Sequence, residues 1–325
     1  MRFVVYGAGA VGGVVGARLA QAGHDVVLIA RGAHLDAMRN GGLRIQSHDA
    51  DVVVDVETVA HPRAVIFRPG DVVVFSMKSQ DTAAAVVELT AAAPDAPVVC
   101  LQNGVANERA LLRHFPDVYA VCVMLPATHL QPGVVQAFSA PVTGLLDIGR
   151  YPSGVDTTVE AIAAAFRAST FESVPRDDVM RWKYTKLLMN LGNAVEAACA
   201  PGDARNELHA LVHAEGVACL DRAGVSYASA EEDRERRGER MRIRPVAGER
   251  RGGGSSWQSL ARGTGTIEAD YLNGEIVLLG RLHGVPTPAN ELVRRTANLL
   301  ARERRRPGSV DARELLAQAT ATGSG

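Results

Sequence analysis

The chain has 325 residues, of which 47% are hydrophobic and 22% charged, and its formal net charge is −1. These values suit a globular protein with room for two cored domains, and they supply no basic surface for a nucleic-acid partner. No run of about 18 apolar residues is present to span a membrane. With no leader pattern, and with Cys100, Cys122, Cys199 and Cys219 forming no CxxC pair, the expected location is the reducing cytoplasm.

The first element is an apolar run at residues 3–6, suited to a buried parallel strand. Gly7, Gly9 and Gly12 follow in GxGxxG spacing and open a helix. In such a turn the first glycine permits the sharp bend and the second admits a pyrophosphate. The third allows helix to pack on strand. Gly7, Gly9, Ala10, Val11 and Gly12 are therefore the expected phosphate cradle, with the helix N-terminus adding unpaired N–H groups. The second strand, residues 25–30, ends at Arg31, 19 residues after Gly12. An NAD site usually carries Asp or Glu there to bind the ribose diol. Asp25 lies at the strand's other end. A guanidinium suits a 2′-phosphate, so Arg31 predicts NADPH.

Further strands are predicted at residues 52–56, 71–77 and 97–101, with helices starting near 82 and 107. This alternation predicts an α/β fold with a Rossmann-type, doubly wound parallel sheet, assigned to residues 1–172. Residues 118–148 read as smaller, mixed strands at one edge. Ligands of such sheets bind beyond the carboxyl ends of the strands. Lys78 and Asn103 stand at two such ends.

After residue 157 the apolar period becomes helical, over 159–166, 178–200 and 207–223, with Pro201-Gly202 as a break. Residues 173–305 are predicted to form a mainly α-helical substrate and dimerisation domain. Residues 306–325 are expected to fray. The charge run at 231–251 reads as a solvated face or mobile loop, and 252–256 as a flexible joint. Helical pattern resumes at 267–283 and 290–302. Within the 178–200 helix, Lys186 and Asn190 lie i, i+4, about 40° apart, and Asn193 falls about 20° to the other side of Lys186. A cation flanked by two amides in an apolar helix is costly to bury without a polar ligand. Ser255, Ser256, Glu268, Asp270 and Asn273 form a further polar group. Trp182 and the cysteines read as packing. His209 and His213 lack a third ligand, so no metal is expected.

Together these residues resemble the ketopantoate reductase (2-dehydropantoate 2-reductase) family over nearly the whole chain. The markers are GAGAVG with Arg31, Lys78, the LQNG at 101–104 and the K-x-x-x-N of Lys186 and Asn190. Ser256, Glu268 in E-x-D-Y-x-N-G, and GVPTPAN at 284–290 complete them. The resemblance implies NADPH-dependent reduction of a small 2-oxo acid, with Lys186 as general acid. Asn190 and Ser256 would hold substrate, with Asn193 a further substrate contact. Lys78 and Asn103 would orient substrate and nicotinamide, and Glu268 would position Lys186 beside the cofactor. Two departures fall on the substrate side. Ala194 stands where the family has a second substrate asparagine, displaced here to Asn193, and Trp257 follows Ser256. A homodimer through the helical half is compatible with its long apolar helices. Competing readings are a non-catalytic NADP(H) sensor, a flavoprotein, and a family paralogue that reduces a different carbonyl compound.

Overall fold

In the computed structural model, which describes residues 1–322, the chain opens with strand β1 (Arg2–Tyr6), helix α1 (Ala10–Gln21) and strand β2 (Asp25–Ile29). Helix α2 (Gly32–Gly41) and strands β3 (Leu43–Gln46), β4 (Asp51–Val54) and β5 (Glu57–Val59) follow. Next come β6 (Asp71–Phe75), α3 (Thr82–Thr90), β7 (Val98–Cys100), α4 (Asn107–Leu111) and β8 (Val118–Met124). Strands β9 (Ala127–Thr128), β10 (Val134–Ala137), β11 (Ser139–Pro141) and β12 (Gly144–Arg150) lead to α5 (Thr157–Ala168) and β13 (Phe171–Glu172). Eight strands form the main sheet in the order β13-β12-β8-β7-β6-β1-β2-β5, all parallel except for the β12·β8 pair.

The strands are apolar at successive positions because both faces are covered. In β6, Val72 and Val74 join Val14, Val15 and Leu19 of α1 and Ile162 and Phe166 of α5. The alternate residues Val73 and Phe75 join Val86 and Leu89 of α3, with Leu111 and Phe115. Period two thus feeds two cores from one strand.

Two sequence expectations change in this half. Residues 32–46, for which no element is predicted above, hold α2 and β3. Residues 52–56, expected as one strand, divide between β4, which belongs to a separate four-stranded sheet β4-β3-β10-β9, and the approach to β5. Short strands with exposed residues carry too weak an alternation to be read locally.

The chain folds as two units, residues 1–183 with 229–251, and residues 184–228 with 252–325. The expected boundary at 172/173 therefore moves, and the first unit contains a segment that was assigned to the helical domain. The helix predicted over 178–200 is two helices, α6 (Val179–Asn190) and α7 (Gly192–Ala198). It is followed by the 20-residue α8 (Asp203–Arg222). The charge run is a largely exposed face, as one of its two readings expects, but it carries regular structure in its first part. It forms α9 (Ala230–Arg237), started by a Ser229/Glu232 capping box, and β14 (Met241–Ile243), which pairs antiparallel with β11. Two of its charged residues, Arg236 and Glu232, pair with partners elsewhere in the first unit. Arg236 bonds both oxygens of Asp147 (2.5 and 2.8 Å), and Arg181 pairs with Glu232 at 2.6 Å. Charge density in a sequence does not reveal whether counter-charges lie elsewhere in the chain.

The second unit is a helical bundle of α7, α8, α10 (Ser255–Ala261), α11 (Asn273–His283), α12 (Pro288–Arg302) and α13 (Ala312–Thr322). Leu191, Leu208, Val212, Ile276 and Val293 form its core at 0% exposure. Gly216 lets α8 approach closely, since a Cβ there would lie 2.5 Å from Leu191 Cδ1. The expected frayed tail is largely structured. Gly308 N–H and Val310 N–H donate to Ala197 O and Ala198 O, both at 3.0 Å, and α13 packs on α8 and α12 through Leu315 and Ala319. Residues 323–325 of that tail lie outside the described residues. Among the described residues, no helix is long and apolar enough to cross a membrane.

Because Leu315 is only 4% exposed, Leu315→Ala is expected to lower unfolding stability by about 2–4 kcal/mol. Urea titration checks this, and a change within about 0.5 kcal/mol would mean that the tail is dispensable.

Candidate active site

The glycine turn is built against the end of β6. Gly7 has φ of 104°, and a Cβ there would meet Met77 N at 2.6 Å. At Gly12 a Cβ would lie 2.2 Å from Ser76 Oγ, which itself donates to Gly7 O at 2.8 Å. At Gly9, by contrast, nothing lies within 4 Å of such a Cβ. The two outer glycines are therefore needed for protein packing, and the middle one faces open space beside Ala10 and Val11 at the start of α1. A pyrophosphate fits that space, with the helix N–H groups as donors.

Arg31 caps the start of α2. Its side chain is 81% exposed, and its guanidinium lies 3.3 Å from Asp81. Asp25, at the far end of β2, is engaged by Arg68. The residues that can hold the adenosine end of a dinucleotide are thus the open glycine and this exposed guanidinium.

His34, which the sequence reading did not single out, braces the cradle from α2. Its Nε2 lies 2.7 Å from Ala8 O, and Gly133 N–H donates to its Nδ1 at 2.9 Å. The acceptor role of Nδ1 places the proton on Nε2, which donates to Ala8. Burial pulls the imidazole pKa below its ordinary value, with the Ala8 hydrogen bond opposing. His129 stacks beside it with ring centroids 4.0 Å apart.

Lys78 and Asn103 follow β6 and β7, which are neighbours in the sheet, with β1 and its glycine turn on the other side of β6. The topology so brings three sequence-predicted features to one sheet end. Beneath them lies a second lysine, Lys183, from the first turn of α6. It is 3% exposed, its Nζ is 2.6 Å from Glu108 Oε1, and it donates to Gln102 O (2.8 Å) and Val121 O (3.3 Å). Glu108 is fully buried. The sequence signal for this pair was a charged residue on the apolar side of each of two helices.

In the helical unit, Lys186 is half-buried, while Asn190, Ser256 and Glu268 are buried. Helix α6 stops just after Asn190 for identifiable reasons. A Cβ at Gly192 would lie 2.0 Å from the His209 ring. Asn273 Nδ2 captures the Leu191 carbonyl at 3.0 Å and also bonds Asn290 Oδ1 at 2.9 Å. Asn290 in turn donates to Val212 O and Glu215, and Glu215 accepts the first backbone N–H groups of α12. Asn273 and Asn290, from the E-x-D-Y-x-N-G and GVPTPAN segments, are thus internal braces of the bundle.

Asn193 lies in α7, beyond Leu191, whose backbone keeps helical angles (φ −59°, ψ −32°). It lines a cavity of about 310 Å³ with Met189, Glu196, Arg205, Asn206 and His209. Ala194 is buried. Glu196 accepts from Gly254 N–H at 3.1 Å, which ties α7 to the turn before α10. That turn is not a free joint. Cβ atoms at Gly252 and Gly253 would lie 2.8 and 2.5 Å from the Trp257 ring, so the indole packs back over the glycines. Two residues after Gly254, Ser256 is 1% exposed and its Oγ has no hydrogen-bond partner. A buried hydroxyl without a partner costs free energy that a bound polar ligand would recover.

A glycine cradle, polar strand ends on a doubly wound sheet, and a helical unit carrying a lysine helix define a Rossmann-type oxidoreductase. The chain belongs to the ketopantoate reductase family. The model of ketopantoate reductase PanE/ApbA matches residues 3–152, and that of its C-terminal part matches residues 178–301. It is accordingly a nicotinamide-dependent oxidoreductase acting on CH–OH groups. The 2-dehydropantoate 2-reductase of Halobacterium salinarum is 33% identical over 307 residues, spanning 92% of this chain and 98% of that protein. A ketopantoate reductase of Ralstonia eutropha JMP134 superposes with a TM-score of 0.78 at 31% identity, over 94% of this chain and 99% of that one. A D-mandelate dehydrogenase, solved with NADH and anilino(oxo)acetate, shares the fold with the same TM-score at 20% identity, covering 94% and 99% of the two chains.

Two outcomes are expected from the buried polar groups. Lys183→Met strands the Glu108 carboxylate and should cost about 3–5 kcal/mol of stability, most of which returns in the Glu108→Leu/Lys183→Met double variant. Denaturant unfolding of the three proteins checks it, and equal losses in single and double variants would contradict it. For His34, the depressed native pKa means that the unfolded chain binds the proton more readily. Its contribution to stability is present above the unfolded value near ~6.5 and is lost as pH falls through the lower native one. Between pH 7.5 and 5 the wild type should lose more stability than His34→Gln, as read by thermal melting. Identical pH profiles would show that His34 carries no such linkage.

Proposed function

We propose that the chain reduces a 2-oxo acid to the 2-hydroxy acid with NADPH, with 2-dehydropantoate as its reference substrate. The observation that carries this reading is the buried, unpartnered Ser256 hydroxyl in the same unit as Lys186 and Asn190. The names of the relatives support 2-dehydropantoate, and the exposed guanidinium of Arg31 supports the phosphorylated cofactor.

When bound, NADPH supplies the hydride that adds to the carbonyl carbon of the 2-oxo acid. The C=O π pair then moves onto oxygen. The Lys186 ammonium stabilises the charge on that oxygen and donates the proton that completes the alcohol. Lys186 regains its proton from solvent. Ser256 and Asn190 hold the substrate by hydrogen bonds, Asn193 extends that contact, and Glu268 keeps the lysine oriented. Lys78 and Asn103 orient the nicotinamide and the carbonyl group. Gly7, Gly9, Ala10, Val11 and Gly12 receive the pyrophosphate, and Arg31 pairs with the 2′-phosphate.

The test is oxidation of NADPH and of NADH with 2-dehydropantoate and a panel of branched 2-oxo acids. Lys186→Ala should lower kcat by about 10²–10⁴-fold while leaving NADPH affinity intact. Arg31→Ala should weaken NADPH by about tenfold or more and leave NADH unchanged. Unaltered turnover in Lys186→Ala would remove the general acid, and equal loss of both nucleotides in Arg31→Ala would remove the phosphate contact.

A further inference from the structure

Gln102, in the LQNG segment, has no role in the chemistry above, yet it touches the backbone on the approach to both Lys78 and Asn103. Its side-chain Nε2 donates to Met77 O at 2.9 Å, the carbonyl of the peptide bond that leads into Lys78. The same Nε2 donates to Thr82 Oγ1, also at 2.9 Å. Its own carbonyl, in the peptide bond leading into Asn103, accepts from Lys183 Nζ at 2.8 Å.

The hydrogen bonds beyond Gln102 run in one direction. Thr82 Oγ1, having accepted from Gln102, donates to Asn107 Oδ1 at 3.0 Å, and Asn107 Nδ2 donates to Ser79 Oγ at 3.0 Å. Ser79 follows Lys78, so the residues on both sides of Lys78 are held. Gln102, Thr82, Asn107, Ser79, Lys183 and Glu108 are all at most 4% exposed. The amide cannot be turned over without aiming its oxygen at the Met77 carbonyl, so its orientation is set. Buried polar groups at this density are costly unless they fix a geometry that an apolar filling would leave free.

We propose that Gln102 and Lys183 are positioning residues that lock the two strand-end peptides to each other, and thereby set the mutual placement of Lys78 and Asn103 against the nicotinamide end of the cofactor. Gln102 bridges β6 to β7 through its side chain. Lys183, held by Glu108, fixes the peptide from which Asn103 departs. None of the hydrogen bonds named above reaches Gly9 or Arg31, so the adenosine end serves as the internal control for the lock. The inference rests on the reductase reading for the roles of Lys78 and Asn103.

The experiment compares the full enzyme with Gln102→Leu, which keeps volume and removes the donor, and with Gln102→Met as a second variant should the first fold poorly. Two ligands are titrated by calorimetry: NADPH, and 2′-phospho-ADP-ribose, which lacks the nicotinamide. The expected result is weaker NADPH binding by about 5- to 10-fold, unchanged affinity for the fragment, and kcat with 2-dehydropantoate down by about 10–100-fold. Lys183→Arg, which keeps a donor, should retain more activity than Lys183→Met. Parallel loss of both ligands, or no loss of either, would overturn the lock and leave these residues as fold elements. Absence of turnover in the wild type, with the split in binding preserved, would instead count against the proposed reaction alone.

Discussion

The structure depends on β6 being buried on both faces between β1 and β7. A parallel strand so enclosed is apolar through its middle, from Val72 to Phe75, with its one charged residue, Asp71, at its start and paired with Arg2. Polar chemistry is therefore displaced to its carboxyl end, where Ser76, Met77 and Lys78 meet the glycine turn on one side and Gln102 and Asn103 on the other. The tightness of that junction explains the glycine spacing. Gly7 and Gly12 are required by β6 and Ser76, and Gly9 is the position left open for a ligand. The glycine turn and the placement of two polar strand ends arise from the same packing.

The helical unit solves a different problem, which is how to present a lysine helix that is otherwise apolar. Asn273, Asn290 and Glu215 form a buried chain that ends on the Leu191 carbonyl and so determines where α6 stops. Asn190 stands in the last turn of α6, and Asn193, in α7, lines a cavity with Met189, Glu196, Arg205 and His209. Two of the motif asparagines, Asn273 and Asn290, are thus structural, bracing the bundle at the carboxyl end of α6. Trp257 behaves similarly. Its ring lies over Gly252 and Gly253, which gives the glycine run a packing reason and steadies the turn before Ser256.

Much of the first unit was legible in the sequence. The strands at β1, β2, β6 and β7 are continuous apolar runs bounded by turn residues, and their alternation with helices admits few topologies. The cradle residues, Arg31, Lys78 and Asn103 could be placed because their positions are fixed relative to strand ends. Less was legible where partners are distant in the chain. Most of the 231–251 arginines are exposed, as read, but the pairing of Arg236 with Asp147 and of β14 with β11 was not legible, because those partners lie about a hundred residues away. The tail read as frayed because its end is small and polar, while the burial of Leu315 and Ala319 depends on α8 and α12. The break at Leu191 was invisible because its causes, His209, Asn273 and Asn290, come from three other helices.

Local order therefore determined the cofactor-binding turn, the alternating fold of the first half and the spacing of Lys186 with Asn190, since each of these is set by neighbours within a few turns of chain. Tertiary structure alone decided which buried polar groups act together. A hydrogen bond such as Gln102 to Met77, an ion pair such as Lys183 to Glu108, and a histidine tautomer such as that of His34 are set by directions and distances between elements. Periodicity records which side of an element is buried and carries no information about what it is buried against.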